Sequence, residues 1–559
     1  MIVSLQALAP AALLLAGGTW LVLRPSATVF VLLQLATLAA VLRMDALASA
    51  TLTVPVYQPL PGLSLITRYD ALSKFFITTV AGAGVLVSLP WSGDGRRLPY
   101  GWLALAQFGA IGAILAGDLP GLAVGWSFSV AALLLMVLIP DLALGLRRPS
   151  EAVARTLVLH LGGAAILVGA AVGVEALAGT ASFDAIPVGA LDSRMGTLLA
   201  VPPLLVLATI PGLIRACRAA AGAAFALCAA LVPLAVYVLS RAFDLAEGRP
   251  LPQAVNVSLV GLGGVGALVY ALYALWAPDL GSAISRILGA LGMLLVSAFG
   301  AGGSGGLAAL LVGFVSLEAA AVASLGVVDA GRGRLAGSGP APRGVLGALS
   351  LLALLALAGS AVGLGLDARL LVVRRVWEQG RAGALLTVPM VAGMLAISAS
   401  AFAAGRFGGG RVDGRRGLLQ LGLGAALLVA LAGWSTPVAE RITLIAAATA
   451  HVSGAEVHTT TTASLPGPVP GALLLILAVV MAAGLGWWPR SYSSADGLRW
   501  APGVLPPRLA VTPEIAVRAG VGAVAGRLRG AGGLLRAHAR WAVALTWTLA
   551  TAGVLYASR

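Results

Sequence analysis

The chain has 559 residues and one lysine, Lys74. Asp, Glu, Lys and Arg together make up 10% of it, against about 25% in a soluble domain. So few charges exclude a surface covered by water. The two cysteines, Cys217 and Cys228, offer neither a disulfide framework nor a C-x-x-C metal spacing, and no cluster to hold an iron–sulfur centre. Both read as small buried residues. No G-x-x-x-x-G-K-[ST] phosphate loop occurs, and the Gly-rich stretches lack the strand-to-helix setting of a dinucleotide site. A membrane-embedded lipid- or polymer-processing enzyme would need a long polar loop with paired carboxylates, and none is found.

What is present is apolar. Hydrophobic residues make up 59% of the chain, with mean hydropathy +0.98. A bilayer crossing takes roughly 20 apolar residues. Runs separated by Arg, Pro, Gly or Asp fall near 2–23, 27–42, 71–91, 101–117, 120–140, 154–178, 195–213, 219–240, 254–277, 283–300, 304–328, 344–366, 383–404, 417–434, 440–452, 469–488 and 540–557. Some are short, so the expectation is about 14 to 16 crossings. Inside lipid each backbone N–H and C=O must be satisfied within its segment, which makes these runs helices and the fold class all-α, polytopic membrane protein. The 73 glycines permit close helix approach. The first run, Ile2 to Leu23, has no basic residue before it and no small-x-small cleavage site. It reads as a retained span.

The net charge of +15 comes from arginines in gaps between apolar runs, where orientation-setting residues sit. Acidic lipid headgroups, not nucleic acid, are the expected counter-charge. Four regions follow: N-terminal helices at 1–140, a core at 141–405, C-terminal helices at 406–488, and a basic segment with a final span at 489–559. The last holds eight arginines, from Arg490 to Arg540, before Trp541. It is expected to be amphipathic and cytoplasmic. Two spans look broken, one through Pro202-Pro203 and Pro211, the other through Gly359-Ser360 to Asp367. Paired broken spans point to two inverted repeats; kinked helices are the plainer reading.

Several fragments then fall in a familiar order. Asp70-Ala71-Leu72-Ser73 resembles the "D-x-L-S" entry of antiporter-like membrane subunits. Those subunits are shared by NADH:quinone oxidoreductase, membrane-bound hydrogenases and multi-subunit Na+/H+ antiporters. Gly117-Asp118-Leu119 with Val124-Gly125-Trp126-Ser127 resembles their "D-L … G-W-E" segment. Ala154-Arg155 to Gly179-Thr180-Ala181-Ser182-Phe183, Tyr237 to Arg241, and Asp279-Leu280 to Leu291-Gly292 resemble later spans. The resemblance covers about 60–405 and implies two inverted five-helix units.

The departures concern proton carriers. The family's glutamate after Trp126 is Ser127, its lysine after Asp279-Leu280 falls on Gly281, and a later lysine falls on Arg369. A buried lysine relays protons because desolvation lowers its pKa. Arginine does not deprotonate, and serine and glycine do not titrate. The resemblance therefore implies a subunit of a proton- or sodium-translocating respiratory or hydrogenase-type complex that lacks the lysine route and acts as scaffold or half-channel. Sister membrane subunits, a peripheral redox arm and membrane lipids would be its partners. Redox cofactors would sit only in those partners, and the setting would be a bacterial cytoplasmic membrane. A stand-alone secondary transporter on the same body is the alternative.

Ionisable groups inside spans are expensive and each merits a functional hypothesis. Glu318 is a candidate proton-binding carboxylate or an ion-pair partner. His160 and Glu175 lie in one run, roughly four turns apart; His160 is a relay or a packing histidine, Glu175 a path or interfacial residue. Asp279 and Arg286 are two turns apart, at an interface or along a polar path. Asp367 and Arg369 follow the second broken region, where a charge pair would seal a channel. His451, Glu456 and His458 are an incomplete metal set.

Overall fold

The computed structural model describes residues 2–47, 52–60, 63–89, 99–143, 151–186, 193–216, 225–245, 251–275, 277, 280–331, 364–377 and 381–404. Helices dominate. They are α1 (Ile2–Leu23), α2 (Ala27–Leu47), α3 (Ala71–Ser88), α4 (Tyr100–Leu115), α5 (Leu119–Ala143), α6 (Glu151–Ala178), α7 (Ser193–Ala208) and α8 (Ile210–Ala216). After a π-helical turn at Leu227–Leu231 come α9 (Val232–Leu245), α10 (Gln253–Leu275), α11 (Leu280–Gly300), α12 (Gly303–Gly331), α13 (Leu364–Trp377) and α14 (Arg381–Ala404). Among the described residues, eight helices are long and apolar enough to cross a membrane and four apolar helices are shorter. The chain is an all-α polytopic membrane protein. The runs expected at 417–434, 440–452, 469–488 and 540–557 lie outside the described residues, as does 344–363.

Most helices pack against their neighbours in sequence, with α1 against α4 and α10 against α14 as longer-range contacts. α4 lies against α1 and α5, α6 against α5 and α7, α10 against α11 and α14, and α12 against α11 and α13. Small residues set the closest crossings. Gly109 of α4 meets the backbone of Ser129 and Gly125, and Gly125 meets that of Ala113, leaving no space for a side chain on either helix. The π-helical turn and α9 form the most enclosed span, fully buried from Leu227 to Leu245. Aromatic contacts join Phe76 of α3, Tyr237 of α9 and Phe314 of α12, with ring centroids 5.5 and 5.2 Å from Phe76.

One feature departs from the purely helical expectation. β1 (Leu52–Leu60) and β2 (Leu63–Tyr69) form an antiparallel hairpin, with Leu52 opposite Tyr69 and Leu60 opposite Leu63. The loop from α4 to α5 extends it, because the Gly117 N–H donates to the Ile66 carbonyl at 2.7 Å. Residues 181–183, after α6, add a further layer: the Phe183 N–H donates to Gly117 O at 2.9 Å and the Leu119 N–H to Ala181 O at 3.0 Å. This small cap ties the ends of α3, α4, α5 and α6 together.

Candidate functional site

Beneath the cap lies a buried ion network. Asp70 caps α3, accepting from the Ser73 N–H at 2.9 Å, and so satisfies one of the orphan donors of a helix start. Arg241 of α9 is 2% exposed. Its Nη2 sits 2.7 Å from Asp70 Oδ2 and donates to Ser73 Oγ at 3.1 Å. Its Nη1 reaches Asp244 at 3.1 Å, and its Nε donates to the Tyr237 hydroxyl at 2.9 Å. Arg68 makes an ion contact with Asp70 at 3.1 Å, without hydrogen-bond alignment, and another with Asp184 at 3.2 Å. Burial pushes the Asp70 carboxyl up, but Arg241, the Ser73 N–H and Arg68 outweigh it and hold it below the usual aspartate range.

Asp118, in the same cap, behaves oppositely. It accepts from the Ile66 N–H at 2.8 Å and from the Gly121 N–H. Burial raises its carboxyl above the usual range despite those two bonds, and the charge of Glu175 adds to the rise.

The first Pro-marked span is interrupted at one residue, Thr209, whose N–H still donates to Leu205 O at 3.0 Å, as in a kinked helix. α7 ends at Ala208 and α8 begins at Ile210, with Pro202 and Pro203 inside α7. Pro211 has no N–H for the carbonyl four residues earlier, Leu207. That carbonyl faces Gly292 of α11, where an added side chain would strike it. The Ala208 carbonyl accepts from the Tyr270 hydroxyl of α10 at 3.1 Å. Thr209 spends its hydroxyl proton on Leu205 O at 2.7 Å, so His160 Nε2, 3.5 Å from Thr209 Oγ1, is the donor of that contact. Irregular backbone at membrane depth is tolerated where other groups satisfy it, and here the Tyr270 hydroxyl of α10 does so for Ala208 O.

Glu318 lies mid-way along α12, 6% exposed, and its Oε1 has no hydrogen-bond partner. Among the described residues it makes no salt bridge. The Cys228 thiol, in the π-helical turn, points at the Glu318 backbone carbonyl at 3.9 Å. Such turns recur at functional sites. Arg369 of α13 is also buried, at 6%. It lines a cavity of about 20 Å³ with Leu291, Ala309, Gly313, Ser316 and Met394, room for roughly one water molecule.

The remaining sequence candidates scatter. Glu175 is half-buried near the end of α6, and Arg286 is half-buried, donating to the Tyr273 carbonyl. Asp367 falls within α13. Asp279 lies outside the described residues, as do His451, Glu456 and His458. No group of three or more His, Cys, Asp or Glu among the described residues is placed to hold a metal. His160 and Glu318 sit at separate places, one at the helix break and one against the π-helical turn. Lys74 sits in the first turn of α3, 3.5 Å from Asp45 and 5.3 Å from the Tyr69 ring, away from the broken span. Arg241, in the Tyr237 to Arg241 segment that carries part of the resemblance, is a buried residue inside α9, held by carboxylates from two elements.

This architecture is that of a polytopic helical membrane protein with an interrupted span and a strapped helix end. Solved structures share the overall fold. A chain of the Mrp complex from Dietzia sp. DQ12-45-1b superposes with TM-score 0.77 at 20% identity, over 100% of this chain and 63% of that one. A chain of respiratory complex I from Thermus thermophilus with bound NADH gives 0.60 at 19%, over 80% and 99%. A chain of the membrane-bound sulfane sulfur reductase, an archaeal respiratory membrane complex, gives 0.62 at 17%, over 78% and 77%. The chain thus spans less than two thirds of the Mrp chain. No protein-family model and no curated protein matches the sequence. The fold that the sequence fragments pointed to, that of the antiporter-like membrane subunits, is the fold of this chain.

Proposed function

We propose that this chain is a membrane subunit of a proton- or sodium-translocating respiratory or hydrogenase-type assembly in a bacterial cytoplasmic membrane. Its neighbours would be sister hydrophobic subunits and a peripheral redox arm that carries any redox cofactors. It lacks a lysine relay. The chain's one lysine is ion-paired in the first turn of α3, and Arg369, which cannot replace a titrating amine, lies at the position the resemblance assigns to lysine. The chain therefore serves mainly as scaffold, with a half-channel that depends on carboxylates. The observation that carries this reading is Glu318, a buried carboxylate with an unpartnered oxygen beside a π-helical turn.

The decisive experiment reconstitutes the purified assembly in vesicles and compares proton uptake of the parent with Glu318→Gln. Loss of most of the flux is expected. Unchanged flux would remove Glu318 from the path and leave the scaffold role alone. Purification in mild detergent decides the stand-alone transporter: a lone, stable monomer would favour it, whereas co-purification with other membrane subunits supports the assembly.

A further inference from the structure

Among the described residues, half of the buried side-chain atoms left without a partner belong to α2, α4 and α5. They are both amide atoms of Gln34, Gln107 Oε1, Trp126 Nε1 and Ser129 Oγ. All four residues are 0% exposed. Gln34 and Gln107 reach toward each other from α2 and α4, across α3. A side chain at Gly84 would collide with Gln34 Oε1 and Gln107 Nε2 alike. Gln107 Nε2 donates to the Val80 carbonyl at 3.3 Å, which fixes that amide's orientation and turns its acceptor oxygen away from Val80. A direct bond between the two amides would still leave one Gln34 atom orphaned, and Trp126 and Ser129 with it. Each orphan polar group in an apolar interior is costly, and buried water is the usual remedy.

We infer that one or two water molecules are bound between Gln34 and Gln107, forming an internal hydrated site within the N-terminal helices. Water fits this donor set better than a cation does. The site presents N–H donors as well as carbonyl oxygens, holds no carboxylate, and a bare cation is repelled by the donors, whereas water serves both kinds of group.

Its depth gives the site meaning. Val80, which anchors Gln107, lies ten residues beyond Asp70, roughly 15 Å along α3. Phe314 of α12 touches Phe76, and Glu318 is one further turn along, which puts it at roughly the same 15 Å. The π-helical turn packs against α3, α4 and α12. The hydrated amides and the buried carboxylate therefore occupy one layer of the bundle, and the turn packs against the helices that carry Gln107 and Glu318.

The inference does not rest on the proposed function, and a map of the purified protein tests it. In a single-particle or crystal map that resolves ordered water elsewhere, density is expected within hydrogen-bond distance, about 2.7–3.2 Å, of Gln34 and Gln107. It should vanish in Gly84→Ala, whose methyl displaces the amides, and persist in Gly82→Ala, where a methyl meets open space. If Gly84→Ala does not fold, Gln107→Leu serves instead, with the same loss expected. Absent density in the parent, amides bonded directly without water, a peak ringed by oxygens at cation distances, or density unchanged in both site variants would each overturn the inference.

Discussion

Two polar regions lie about 15 Å apart along α3 and are built on opposite terms. At the head of the helix, Asp70, Arg241, Asp244, Arg68 and Asp184 are linked by ion contacts of 2.7–3.2 Å, with Arg68 Nε lacking an aligned hydrogen bond. Deeper in the bundle, Gln34, Gln107 and Glu318 are as fully enclosed, yet keep atoms with no partner. A closed ion network fixes a geometry, since any movement uncovers a charge. A buried polar group left partly unsatisfied does not fix geometry in that way; it marks a place where water or a proton can be accommodated. The contrast separates a part of the molecule whose charges are paired from a part whose polar atoms are left unpaired.

The sharpest way to break this contrast is to open the closed network. Arg241→Leu leaves Asp70 and Asp244 as buried charges without their shared partner. Breaking a buried pair in this way costs about 3–5 kcal/mol, so a large fall in the detergent thermal midpoint is expected, with loss of monodisperse protein. Arg241→Lys should fall between, because an ammonium keeps the charge but cannot bridge Asp70, Asp244 and Tyr237 at once. A midpoint unchanged in Arg241→Leu would mean that the network is ornamental.

The pH dependence of stability should then divide the two cap aspartates. Asp70 is held below its ordinary range, so the folded state binds its proton less tightly than the unfolded chain. Its contribution is present above the ordinary aspartate pKa of about 3.9 and is lost as pH falls through the lowered value. Asp118 is raised, so the fold binds its proton more tightly. Its ionisation therefore subtracts stability as pH rises from the ordinary value through the raised one. Thermal midpoints between pH 3 and 7 should show Asp118→Asn losing the second trend and keeping the first.

Much of the closed region could not be read from one sequence. Apolar runs gave the helices because lipid allows little else, and Pro202, Pro203 and Pro211 marked the observed break. The hairpin at 52–69 was missed: its pairing is completed by residues 116–118 and 181–183, and no local period announces such a layer. Asp70 and Arg241 are 171 positions apart. Asp70 carries a helix-start signal, but nothing local names Arg241 as its partner, and arginine in a hydrophobic chain reads first as a loop residue. Glu318 was legible for the opposite reason, since a lone carboxylate inside an apolar run stands out whatever its surroundings. The π-helical turn beside it carries no sequence mark.

A smaller effect is expected at the helix break. Tyr270→Phe removes the donor to Ala208 O while keeping the ring, so a loss of roughly 1 kcal/mol, somewhat more if the carbonyl stays dry, should appear in the thermal midpoint. Full retention of stability would show that water reaches the break.

The smallest change is expected at Glu318, and it bears most directly on the comparison. Glu318→Gln keeps the shape and removes the ionisable proton. If the carboxyl has no charged partner, as its unpartnered Oε1 indicates, the substitution forfeits no ion pair and the thermal midpoint should move by no more than about 1 kcal/mol in either direction. Proton flux in the reconstituted assembly should fall nonetheless. That pairing of outcomes is what distinguishes a functional carboxylate from a structural one, because Arg241→Leu should damage both quantities together. A loss at Glu318→Gln as large as at Arg241→Leu would place a hidden cation beside Glu318 and make the deep region a second closed network.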